Sequence, residues 1–365
     1  VRILLASQRA NVDGIGGLPA FGAWYEAEDV LRSVAETDLL LLERGADRGP
    51  IRLRRIAGRG LRRSVGPGRS IPTTGPYKPP ADHYDLAVFI PFTAWELPLL
   101  EDIRRLREVA DRVVVYLPEV WPLVAGDPRL RFEPWHLVDD IFMGIHPSVA
   151  VMADNIDREV HHLPMAADVH TFRPRTLDDP RPIDVLNIGR RLADLHEELL
   201  KWAYRDHRFY RYDTFRAATV DDPIQHRRDL GQRYQRASVA LCSYPKHDMP
   251  EETRGQRIIP QRLWEGLAGG TVMIGMPPEE ELQRIAVGEV VVEQLPADPK
   301  EGVAAIEELV DGDTRWIRRR NLDLALRQHD WVHRWITVFE TLGLDVPPDA
   351  TQRVKELDAI ADTLV

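Results

Sequence analysis

Cysteine is almost missing from this chain, with Cys242 the only one in 365 residues. A single thiol makes no disulfide framework and no cysteine metal cluster. It suits a reducing compartment, so a cytoplasmic location is the expectation. Long apolar runs are missing too. Stretches such as residues 85–92 (DLAVFIPF) fall far short of the ~20 residues a membrane span needs. The first residues, VRILLAS, turn polar within seven positions, which is not a signal-peptide pattern. Positive charge is in deficit. At a formal net charge of −10, nucleic acid is not expected as a partner.

What the chain does have is alternation. Short apolar, β-rich runs at residues 1–7, 38–43, 85–90, 112–117 and 159–163 alternate with helical patterns, among them residues 94–110. Near-continuous apolar strands separated by helices predict a parallel sheet covered on both faces. The pattern restarts after Arg173 and Pro174, with strands expected at 184–189, 209–212, 238–244, 271–276 and 289–293, and only helices from Lys300 onward. The reading is α/β, two doubly wound Rossmann-like halves. The expected division is 1–165, 166–330 and 331–365, the last segment packing back on the first half. In such sheets ligands bind at the carboxyl ends of the strands, so the search falls on loops that follow strands.

The most informative segment is residues 258–275, IIPQRLWEGLAGGTVMIG. Pro260 suits a helix start. Leu263 and Leu267 lie four apart and face the core, while Arg262 and Glu265 lie three apart on another face. Gly269 and Gly270 end the helix just before an apolar strand. A carboxylate held there can accept both hydroxyls of a ribose. Nearby helix N–H groups and Arg262 suit a diphosphate. The competing reading is an ordinary surface pair of weak effect.

Other candidates follow strands. Gly14, Gly16 and Gly17 sit in a turn after the first strand, where backbone N–H groups can approach a phosphate or an acceptor; an ordinary tight turn explains them equally. The loop at 244–257 (YPKHDMPEETRGQR) precedes the Glu265 helix. In it Lys246 and His247 are candidates for phosphate or sugar contacts, and Thr253, Arg254 and Gly255 for a sugar clamp. An acceptor hydroxyl needs a base if the reaction inverts; Glu119, His136 and Asp139 are the candidates, with His83 and Glu96 behind them. Seven arginines (52, 54, 55, 59, 62, 63 and 69) stand in a stretch without Asp or Glu; an irregular solvated loop explains them, and contact with an anionic acceptor or a peripheral membrane surface is the functional reading. Asp311-Gly312-Asp313 reads as a turn with a helix cap rather than a metal motif. No metal site is expected.

The pattern R-x-x-E-x-L-A-x-G followed by an apolar strand, carried by Arg262, Glu265, Leu267, Ala268 and Gly270, resembles the donor-domain signature of GT-B glycosyltransferases. It is similar to the glycosyl transferase family 1 group and its CgeB-like relatives. Residues 163–174 (LPMAADVHTFRP), 184–191 (DVLNIGRR) and 329–334 (HDWVHR) resemble that group's interdomain segment, first donor strand with its basic turn, and H-x-W-x-x-R element. The likeness covers roughly residues 163–335; the first half resembles the family in architecture alone. The resemblance implies a nucleotide-diphospho-sugar donor, a UDP- or GDP-sugar first, used as co-substrate with no separate cofactor. It implies that Glu265 holds the ribose and that Arg190 or Arg191 reaches the diphosphate. The first half would bind the acceptor, with a small molecule, a glycolipid and a polysaccharide all open. One position departs: eight residues before the glutamate, where many retaining members carry an acid, stands Arg257, which leaves retention or inversion open. An epimerase or phosphorylase on the same fold, or a nucleotide-sugar binder without catalysis, are the alternative readings.

Overall fold

The computed structural model describes residues 1–9, 17–42, 83–96, 106–131, 133–213, 219–276, 278, 280, 282 and 292–364. Two all-parallel sheets organise the chain. The first holds β1 (Arg2–Ser7), β2 (Glu36–Leu41), β3 (Tyr84–Phe89), β4 (Ala110–Leu117), β5 (Asp140–Met143) and β6 (Val160–His162), in the order β2-β1-β3-β4-β5-β6. The second holds β7 (Ile183–Asn187), β8 (Tyr210–Tyr212), β9 (Ala237–Cys242), β10 (Val272–Gly275) and β11 (Val292–Gln294), in the order β11-β10-β9-β7-β8. Both orders reverse direction between their first and third strands, which opens a crevice at the carboxyl edge of each sheet.

The central strands β1, β3, β4, β7, β9 and β10 are mostly apolar and buried because helices cover both faces of each sheet. Along β4, Val113, Val115 and Leu117 join one core while Val114 and Tyr116 join another. The second core does not stop at the first half. It runs through α1 (Gly22–Val34) into Leu186, Ala240, Cys242 and Met273 of the second sheet. The opposite face of that sheet packs Val185, Val239, Leu241 and Ile274 under α3 (Ala193–Arg205) and α6 (Pro299–Asp311). The remaining long helices are α2 (His146–Ile156), α4 (Pro223–Gln235), α5 (Gln261–Ala268), α7 (Arg315–Gln328), α8 (Trp331–Thr341) and α9 (Pro348–Asp362).

This is the two-sheet arrangement the GT-B resemblance implies, α/β with two Rossmann-like halves. The last two helices pack against α1, where the Trp335 indole donates to the Ala27 carbonyl at 2.9 Å. One difference from the sequence reading stands out: strand β5, four residues long, is additional. Of the helix expected over 94–110, residues 97–105 lie outside the described residues, which hold a short turn at Ala94–Glu96 and a single helical turn at Leu106–Val109.

The chain crosses between the halves at two places that lie side by side. Ala167 bridges Asp330, with Ala167 N–H donating to the His329 carbonyl and Trp331 N–H to the Ala167 carbonyl. Arg334 closes this crossing by donating to the carbonyls of Pro164, Met165 and Gln328. Its fourth contact is the His329 ring nitrogen, and the His329 ring stacks on Trp264 at 4.2 Å. Burial drives the His329 pKa well below the ordinary histidine value, with the Arg334 charge adding to the effect, so this ring is neutral. The H-x-W-x-x-R residues therefore tie the crossing to the helix that carries Glu265.

Candidate active site between the two halves

Loops at the carboxyl edge of the first sheet meet the second half. Val220 N–H donates to the Gly17 carbonyl at 2.7 Å. Trp121, just beyond β4, packs with Ile145, just beyond β5, against Ile258. The Lys246 ammonium sits 5.4 Å from the centre of the Trp121 ring, and Glu119 accepts from the Trp121 indole at 3.0 Å.

Glu265 lies on α5. That helix rests close on β10 because Gly266 has no Cβ, which would come 2.1 Å from the Met273 sulfur. Gly270, at φ +58, turns the chain directly into the strand. Glu265 is 3% exposed and does not stand in an open crevice. Its Oε1 accepts from Arg227 Nη1, while Arg227 Nε donates at 2.7 Å to Oε2 of Glu26 on α1. Among the described residues, no hydrogen bond reaches Glu265 Oε2. The carboxylate is thus half engaged and sits where the halves touch.

Arg262, one turn earlier, lies against the turn after β7. Gly189 has φ +81 there, and a Cβ on it would meet the Arg262 guanidinium at 2.0 Å, so both backbone and space demand glycine. The Arg262 Nε is buried without a partner. Arg190 pairs with Asp248 of the loop after β9. Arg191 turns the other way, donating to the Asp213 carbonyl and lying 5.3 Å from the Tyr212 ring centre. The basic turn therefore splits, and Arg262 rather than Arg191 lies against its glycine.

Lys246 pairs with Glu252 at 2.9 Å and holds φ +52; His247 packs edge-on to Tyr244, with its Nδ1 buried and unpartnered. Arg254 (φ +52) and Gly255 (φ +73) make two successive left-handed residues on an exposed bend. Non-glycine residues in that region cluster at functional turns. Thr253, by contrast, is buried, with its hydroxyl on the Pro250 carbonyl, and makes no clamp.

The catalytic candidates divide. Glu119 stands on the edge facing the second half. His136 and Asp139 come before β5, at the amino end of that strand and the far edge of the sheet. Asp139 is occupied there by Arg107 and the Val113 N–H, and His136 is exposed. Neither is placed to serve an acceptor. His83 has the same fault, preceding β3 and pairing with Asp111, while Glu96 falls in the short turn after β3. Gly14, Gly16 and the arginines from Arg52 to Arg69 lie outside the described residues. Asp311 binds Arg208 and Asp313 accepts from Arg315 N–H, the roles of a turn and cap. Burial pushes the Cys242 thiol up to about 12, so it stays protonated and apolar.

Two residues of the site are invisible in the sequence pattern, Glu26 and Arg227. Burial raises Glu26 to about 7 against the pull of Arg227. Glu28, also on α1, is raised to about 7 by burial, although Arg9 at 2.8 Å and the Ser7 hydroxyl at 2.8 Å both favour its charged form. An acid whose folded pKa exceeds its unfolded value contributes stability that is complete below the unfolded pKa, near 4.5, and is lost as pH rises through about 7. Glu28→Gln removes that loss. Its stability relative to the parent is expected to improve by up to about 3 kcal/mol between pH 5 and pH 8. Urea midpoints at the two pH values measure this, and a pH-independent difference contradicts it.

No protein-family model matches the sequence, and no curated protein sequence matches it. Similar solved structures include HepE from Anabaena in complex with UDP-glucose, at 11% identity and TM-score 0.45, covering 94% of this chain and 99% of that one. The pneumococcal O-GlcNAc transferase GtfA in complex with UDP and GlcNAc is similar at 12% identity and TM-score 0.43, covering 79% of this chain. A mutant O-GlcNAc transferase from Thermobaculum terrenum is similar at 14% identity and TM-score 0.41, covering all of this chain and 69% of that one. The match takes in 58% of a chain of the GtfA/B complex and 60% of the pneumococcal GtfA, so this chain spans about three fifths of their length.

Proposed function

We propose that this protein is a glycosyltransferase that moves a hexose-type sugar from a nucleoside diphosphate to an acceptor hydroxyl without a metal. The observation that carries the reading is the half-engaged Glu265 carboxylate on α5, one turn from an arginine pressed against the glycine turn after β7. The free Oε2 takes a ribose hydroxyl, and the Gly189 turn with Arg262 and Arg190 takes the diphosphate. Lys246, His247, Arg254 and Gly255 face the sugar. As the glycosidic bond breaks, negative charge grows on the leaving diphosphate, and fixed cations stabilise it without rearranging. Glu119 is the group placed to accept a proton from the acceptor. The first half, residues 1–165 with the arginines from Arg52 to Arg69, supplies the acceptor side, and residues 166–330 the donor side. Contact between the halves excludes water, the competing nucleophile.

A melting-temperature screen against UDP, GDP, TDP and ADP tests the reading. A ligand at 100 times its Kd adds about 2.7 kcal/mol, which moves a chain of this size by several degrees. One nucleotide is expected to stand clear of the rest, with UDP or GDP first. No shift with any of the four overturns the proposal.

A further inference from the structure

The donor site as described belongs to the second half, yet its key carboxylate is held through a residue of the first. We infer that Glu26 is a positioning residue for Glu265, acting through Arg227 across the contact between the halves. This rests on the ribose-binding role given to Glu265 above.

Glu26 is the fixed end of the network. Its Oε1 accepts from Asp168 N–H, in the crossing segment, and from the Trp331 indole at 3.1 Å, at the start of α8. Its Oε2 accepts from Arg227. Three separate elements therefore hold one carboxylate on α1. Arg227 comes from α4 and is fixed by what surrounds it. Its guanidinium lies 4.8 Å from the centre of the Phe172 ring. Its aliphatic stem passes Gly22, where a Cβ would come within 2.6 Å of Cδ. The three side chains of the triad are 5%, 6% and 4% exposed, so water does little to screen them. Arg227 Nη2 is buried without a partner, which leaves the guanidinium committed to the two carboxylates.

One cation shared by two carboxylates holds each less tightly than it would hold one alone. Glu265 then keeps acceptor capacity for a ribose hydroxyl while its orientation is set. Without the Glu26 charge, Arg227 belongs to Glu265 outright and competes with the ribose. The same happens when α1 and α4 separate, because Arg227 and Glu265 stay together in the second half. Ribose capture is thereby tied to contact between the halves.

Glu26→Gln tests this at about pH 8.5, above the value near 7 to which burial raises Glu26 and so where the parent carboxylate is charged, since it keeps the size and the oxygen that serves Asp168 and Trp331. Nucleoside diphosphate Kd by calorimetry, using the nucleotide selected in the melting screen, is expected to rise five- to tenfold, about 1 kcal/mol of coupling. The donor KM is expected to rise with it, and kcat to stay within about twofold. The rise is expected to disappear in a Glu265→Gln background, a result that a merely structural role for Glu26 does not give. Gly22→Ala displaces the Arg227 stem without altering any charge and is expected to raise Kd as well. An unchanged Kd in both single variants, or a Glu26 effect of equal size with Glu265 replaced, overturns the inference alone. A parent protein that binds none of the nucleotides overturns the ribose-binding role and this inference with it.

Discussion

The Glu265→Gln variant is expected to bind its nucleoside diphosphate 10- to 100-fold more weakly than the parent, with no loss of folding stability. A hydrogen bond to a charged group is worth about 1.5–3 kcal/mol, and a carboxylate facing a ribose diol accepts such bonds at Oε2, where an amide whose oxygen stays on Arg227 presents an NH2 that only donates. The stability half of the expectation comes from the triad. Two carboxylates and one guanidinium are buried together, and neutralising one carboxylate leaves an arginine paired with Glu26 and an amide oxygen still accepting from Nη1. Alanine is the poorer probe here, because it strips Arg227 of a buried partner and mixes a desolvation penalty into the binding result. Calorimetry together with urea unfolding separates the two quantities. A Glu265→Gln protein that folds normally and binds nucleotide as tightly as the parent rules out the ribose role.

The parts of the molecule that were legible are those where one local pattern had one structural outcome. Ten of the eleven strands among the described residues were readable, the central ones because a strand buried on both faces is a nearly continuous apolar run, as Val113–Leu117 shows. The helix of Glu265 was readable from its flanks, a proline before it and two glycines after it. Strand β5 was not, because Asp-Ile-Phe-Met is too short to stand out, and that omission misplaced the catalytic candidates. Without β5, the segment holding His136 and Asp139 reads as a loop following β4 at the cleft. With β5 in place, the same residues precede a strand and fall on the opposite edge. Arg227 was hidden for a different reason. It sits in a helix whose sequence, PIQHRRDLGQRYQ, looks solvent-facing throughout, and its burial is decided by Glu26, 201 residues away. A buried ion pair between distant segments leaves no local trace, because each partner alone resembles an ordinary surface charge.

Asp330 carries the largest expected effect on folding. The resemblance singled out its motif, H-D-W-V-H-R, for the histidine, tryptophan and arginine, yet the aspartate between them makes four hydrogen bonds, as many as Arg334. It is fully buried. Oδ1 accepts from Val332 N–H at 2.9 Å, capping α8, and from Arg353 Nε at 2.9 Å. Oδ2 accepts from Val169 N–H at 3.0 Å, in the crossing segment, and from Arg353 Nη2 at 2.7 Å. One carboxylate thus joins the crossing, the start of α8 and the final helix α9, at the point where the chain passes twice between the halves. Asp330→Ala leaves two N–H groups without their partners and Arg353 dependent on Asp168 alone. Removing one member of a buried pair costs about 3–5 kcal/mol, against a total stability of about 5–15 kcal/mol for a typical domain. Asp330→Asn recovers less than its size suggests, because its amide NH2 must face an N–H or the guanidinium, a donor against a donor. The expected outcome is an unfolding midpoint lowered by several kcal/mol for alanine and by somewhat less for asparagine. The transition is also expected to broaden or split, since the two sheets would no longer be pinned at their crossing. A loss below about 1 kcal/mol in Asp330→Ala, with a single sharp transition, means that the apolar core running through α1 holds the halves together without this carboxylate.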